Sequence, residues 1–116
     1  MDAKADPTNP VLVETIELLK EQDAPVYREA AENLGKVNRR RPEVNISDIE
    51  RNTEEGDTVI VPGKVLGTGY LSKGVKVAAF KASSSAKEKI SEEGEFKFIE
   101  DLVEENPKGE EVKILK

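Results

Sequence analysis

Four glycines, Gly63, Gly67, Gly69 and Gly74, crowd into twelve residues between two β-branched runs, Thr58-Val59-Ile60-Val61 and Val75-Lys76-Val77. Glycine reaches positive φ without steric cost and lets another backbone or a ligand come close, so this density means that backbone geometry is being specified here. Pro62 withholds a ladder donor, and the first run is therefore expected to end there or to lie at a sheet edge. The same region is free of acids. From Thr58 to Lys87 there is no Asp or Glu, while Lys64, Lys73, Lys76, Lys81 and Lys87 give five positive charges. The flanks are the reverse: residues 1–57 carry 14 acids and 8 bases, and residues 88–116 carry ten acids and five bases, for a net charge of -6. A uniformly acidic surface would repel a polyanion, whereas charge segregated in this way can offer it one basic face.

The length of 116 residues fits a single domain, 1–116, with a modest core drawn from Val, Ile, Leu and Ala, since aromatics are only 4% and Trp is absent. Without Cys or His, disulfide frameworks, thiolate nucleophiles and most transition-metal or imidazole acid–base designs drop out. No apolar run approaches the ~20 residues of a membrane helix, and Met1 to Asn9 lacks an apolar signal region, so an unexported, cytoplasmic chain with no membrane partner is expected. The sequon Asn45-Ile46-Ser47 is read as chance in that setting.

In chain order, residues 1–8 are polar and aperiodic, which predicts a mobile tail. Asn9 is placed to cap a helix beginning at Pro10, with Leu12, Ile16 and Leu19 on one face and an end near Gln22. A second helix restarts at Pro25, repeats Val26, Ala30 and Leu34, and stops at Gly35. Lys36 to Pro42 contains Arg39, Arg40 and Arg41 without apolar periodicity, and reads as an exposed basic arm whose guanidinium forks suit phosphate oxygens. Ser47-x-x-Glu50 has capping-box spacing and predicts a short helix to about Asn52. From Thr58 onward the order strand, strand, helix, strand, helix, strand is predicted, with Ser83 to Ser85 capping a helix that Gly94 ends. The fold class is accordingly α/β: a compact mixed unit of short strands and helices preceded by two N-terminal helices.

Several chemistries fail on spacing. Gly67-Thr68-Gly69-Tyr70-Leu71-Ser72 has Ser where a dinucleotide fingerprint needs its third Gly. Gly69 to Gly74 has the gap of a phosphate loop, but Val75-Lys76 stands where Lys-Ser/Thr is required. The adjacent acids Glu54-Glu55, Glu92-Glu93 and Glu110-Glu111 diverge on helices or strands and read as solvated surface, and the serines lack an evident base. Neither a catalytic site nor a metal or other cofactor is selected.

Val44-Asn45-Ile46, Ile49-Glu50-Arg51, Pro62-Gly63-Lys64-Val65-Leu66-Gly67 and Val77-Ala78-Ala79 occur in order, followed by Lys89-Ile90 before Gly94, then Asn106-Pro107, Gly109 and Val112-Lys113-Ile114. This series resembles the archaeal and eukaryotic large-subunit ribosomal protein family "L eighteen e", a relative of the bacterial "L fifteen" family, from about Asn9 to the C-terminus. The resemblance implies an irregular superhelix of strand-strand-helix turns and a structural role without catalysis. It also implies ribosomal RNA and neighbouring ribosomal proteins as partners, with the chain a monomer within the ribosome. Joined to the charge pattern, it makes Arg39, Arg40, Arg41, Lys64, Lys73 and Lys76 the candidate RNA-binding residues. The alternative, favoured by the net charge, is an acidic protein-interaction module that binds a basic partner.

Overall fold

The structure, a computed structural model, describes residues 10–36 and 42–116. The expectations for the tail, for Asn9 as a cap and for the arm Arg39 to Arg41 fall outside these residues. Two helices open the described chain, α1 (Pro10–Glu21) and α2 (Pro25–Leu34), close to where the Pro and Gly signals set them. Leu12 and Leu19 of α1 bury against Tyr27, Ala30 and Leu34 of α2. Tyr27 keeps a polar handle inside this core: its hydroxyl donates to the Asn106 carbonyl at 2.5 Å, and burial pushes its pKa up to about 12. Gly35 ends α2 with φ of -75°, so here glycine stops the helix without a left-handed turn.

A three-residue strand, β1 (Glu43–Asn45), and a short helix, α3 (Ile46–Asn52), follow. The cap of α3 is two residues earlier than the Ser47/Glu50 box predicts: the Asn45 amide donates to the Asp48 carboxylate at 2.9 Å. That shift leaves Glu50 free for another task. Then come β2 (Thr58–Leu66), β3 (Lys76–Ala82), α4 (Ser84–Glu93), β4 (Glu95–Phe98), α5 (Ile99–Glu105) and β5 (Val112–Ile114), in the predicted order. Ser83 caps α4 by accepting from the Ala86 amide at 3.2 Å.

All strand pairs are parallel, in the order β1-β2-β3-β4, with β5 also pairing β2. β2 is thus the centre of the sheet: β3 runs along one side, while β1 at Lys64–Leu66 and β5 at Thr58–Ile60 share the other. Its alternate residues serve two cores. Val59, Val61 and Val65 pack with Val77 and Ala79 under Ile46, Ile49, Ala86 and Ile90 of α3 and α4. Ile60 and Ala78 face Leu12, Tyr27, Ile99 and Leu102 of α1, α2 and α5. Burial on both faces explains why Val59-Ile60-Val61 is continuously apolar rather than alternating.

Pro62 corrects one expectation, because it neither ends the strand nor marks an edge. β2 runs through Pro62-Gly63, and the register with β3 shifts between Val61 and Lys64, so the bulge absorbs the missing donor. Gly63 is needed at that bulge: a Cβ there would lie 2.0 Å from the Pro42 carbonyl oxygen, which itself accepts from the Lys64 amide at 3.1 Å. Gly63→Ala is expected to lower stability by about 2–3 kcal/mol through forced backbone displacement. Gly35→Ala, at ordinary φ and with its nearest atom 3.5 Å away, is expected to be neutral or slightly stabilising by denaturant titration.

Candidate nucleic-acid interface

The link from β2 to β3 decides how the basic segment is presented. Parallel neighbours need a return path, and Lys76 is level with Thr58, eight residues back from Leu66, or roughly 26 Å along the strand. Ten steps from Leu66 to Lys76 reach at most about 36 Å. No helix lies between them, so the crossover is an open, irregular chain whose polar groups find partners outside any ladder.

Side chains supply those partners. Lys89 of α4 donates to the carbonyls of Gly67 and Gly69 at 2.6 and 2.8 Å, and the Ser47 amide at the start of α3 donates to the Thr68 carbonyl at 3.0 Å. The Glu50 carboxylate accepts from the Ser72 amide and hydroxyl at 2.9 and 2.7 Å, bonds that hold its pKa below the usual carboxylate value. Glu55 accepts from the Gly74 amide at 2.9 Å, and the Gly74 carbonyl accepts from the Gly56 amide at 2.8 Å. The glycines allow the loop to lie against both helices: a Cβ at Gly67 would meet Ser85 Oγ at 1.8 Å, and one at Gly69, where φ is +116°, would meet the Ser47 nitrogen at 2.5 Å.

This scaffold sorts the lysines. Lys73, half-buried, donates to the carbonyls of Glu50 and Thr53 at 3.0 and 2.6 Å, closing the C-terminal end of α3 with a positive charge where the helix dipole favours one. Lys76 bonds Glu105 at 2.5 Å within a cluster that also holds Lys97 and Glu95. The hydrogen bond from Lys76, then that from Lys97, holds Glu105 down at about 2. Lys64 differs. It is exposed on β2, and no carboxylate among the described residues comes within ion-pair distance of it.

Lys81, also exposed, is the register partner of Lys64 on β3. Two like charges on neighbouring strands repel, and Glu43, level with Lys64 on β1, offsets them only in part because among the described residues it forms an ion pair with neither, so the pair favours an anion from outside. The site residues expected from sequence therefore separate: Lys64 is presented with Lys81, whereas Lys73 and Lys76 are engaged by protein oxygens, and the three arginines lie outside the described residues. Lys81 was visible in the acid-free window. The tie made by Lys89 carried no local signal, since its acceptors are twenty or more residues away.

Residues 33–94, which include β2, the crossover and α4, match the ribosomal protein family that groups 50S-L15 and 50S-L18e with their 60S relative. The class is thus a ribosomal-protein fold rather than an enzyme. Among its relatives, the large ribosomal subunit protein eL18 of Methanoregula boonei is 45% identical over the whole of both chains. The eL18 proteins of Methanococcus maripaludis and Archaeoglobus fulgidus are each 45% identical over 93% of this chain and 94% and 97% of theirs. The chain belongs to the large ribosomal subunit protein eL18 family.

Lys73→Met is expected to cost about 1.5–3 kcal/mol, the range for hydrogen bonds from a charged donor. Lys64→Met is expected to change stability by less than about 0.5 kcal/mol. Chemical denaturation of the two variants checks this division.

Proposed function

We propose that the protein stabilises folded ribosomal RNA in the large subunit, bridging phosphates from its basic face. As a member of the eL18 family it is a structural, non-enzymatic ribosomal protein, and its place of action is the cytoplasmic ribosome. The observation that carries RNA binding is the exposed pair Lys64 and Lys81 on adjacent strands, neither of them in an ion pair among the described residues. Arg39, Arg40 and Arg41 add the fork-shaped donors that bridge phosphate oxygens and stack on bases. Lys73 adds positive field near the contact while its ammonium group stays on backbone carbonyls, whereas the charge of Lys76 is offset by Glu105 and Glu95.

A separate, acidic surface supports a second contact, with a basic neighbour in the assembled subunit. Leu18, Val103 and Pro107 floor a groove of about 290 Å³ rimmed by Glu100, Asp101 and Glu104. This adds a protein neighbour to the RNA-bound chain.

With four to six phosphates neutralised, log affinity for large-subunit RNA should fall with log salt at a slope of about -3 to -5. Replacing Arg39, Arg40 and Arg41 together by Gln should shorten that slope and weaken binding sharply with little loss of stability. Replacing Glu100, Asp101 and Glu104 by Gln should leave RNA affinity equal or higher, because screening confines their repulsion to within about 8 Å. A flat salt response contradicts the reading.

A further inference from the structure

We infer that Tyr70 is a stacking platform for an unpaired nucleobase, which rests on the RNA-binding reading and names what one residue of that face recognises. Tyr70 is 72% exposed, more than Val11, Val13 or Phe98, the other exposed large apolar residues among those described. A single exposed ring is ordinary on a protein surface. This one is set apart by its mounting.

On one side, Gly69 is pressed against Ser47 and its carbonyl is held by Lys89; on the other, Leu71 is 3% exposed and Ser72 is held twice by Glu50. The backbone on both sides of Tyr70 is tied down while the ring stands clear. Among the described residues no aromatic ring or cation stacks on it, and its hydroxyl has no side-chain or backbone partner there. The fold buries little of the ring's area, which leaves it available to a partner.

Charge favours a nucleobase over an apolar protein surface. Tyr70 lies in the acid-free stretch between Lys64 and Lys73, and the nearest acids in the loop's support, Glu50 and Glu55, are turned onto Ser72 and Gly74. A flat ring on a fixed backbone costs little ordering entropy when a base stacks on it. Proteins recognise RNA sequence chiefly where bases are unpaired and free to stack in this way.

The test uses the full chain with an oligoadenylate single strand and with the duplex this forms with oligouridylate. Tyr70→Ala should melt like the parent, bind the single strand about tenfold more weakly, keep the parent's salt slope and bind the duplex unchanged. Tyr70→Trp introduces the chain's sole indole, whose emission should be quenched by the single strand and not by the duplex. Equal single-strand affinity for Tyr70→Ala, or indole emission unchanged at saturation, overturns the inference while leaving RNA binding by the lysines intact. A parent that binds neither RNA removes the RNA reading and this inference together. A Tyr70→Ala protein that binds RNA normally but fails to enter the subunit assigns the ring to a protein neighbour, and also overturns the inference.

Discussion

The crossover from Leu66 to Lys76 is the constraint on which the rest of the structure depends. A parallel pair of strands ordinarily returns through a helix or a long connection, and this chain does it with a short irregular segment laid between α3 and α4. An irregular segment off the sheet has no ladder to satisfy its amides and carbonyls, and leaving them buried without partners would cost about 1–3 kcal/mol each. Lys89, Glu50, Glu55 and Lys73 answer that demand with charged groups directed at backbone atoms or helix ends. The glycines answer the steric half of the same problem, because side chains at Gly67 and Gly69 would collide with Ser85 and Ser47.

From that constraint comes the distribution of charge. Lys76 and Lys97 are balanced by Glu95 and Glu105, and the lysines that stitch the crossover are engaged by backbone carbonyls. Lys64 and Lys81 lie on neighbouring strands outside any ion pair among the described residues, with Glu43 level with Lys64, while most of the other acids are spread over the helices α1 to α5 and the turn before β5. The net charge of -6 therefore describes the flanks better than it describes the acid-free segment from Thr58 to Lys87.

Much of the fold could be read from the sequence where the signals were local. Pro10, Pro25 and Gly35 bound the first two helices, Ser83 and Gly94 bound α4, and the order of elements after Thr58 follows from their periodicity. What could not be read depends on distant partners. β1 has three residues and exists through its pairing with β2; β2 continues past Pro62 because a bulge and the Pro42 carbonyl take up the irregularity. Lys73 has the composition of a phosphate-binding residue, and only its position beneath α3 reveals the carbonyls it holds. Family resemblance was legible in VPGKVLG and its neighbours, and the matched region is built around the same crossover.

The central claim is that the glycine crossover is ordered in the free protein, before any RNA arrives. Amide hydrogen exchange on the isolated chain tests it most directly. The account predicts that the amides of Ser72 and Gly74, which donate to Glu50 and Glu55, exchange at least about a hundredfold more slowly than in an unfolded chain. Lys89→Met should release that protection at the crossover while leaving α1 and α2 protected. Exchange of Ser72 and Gly74 at unfolded rates in the parent, with protection appearing only when RNA is added, would contradict it.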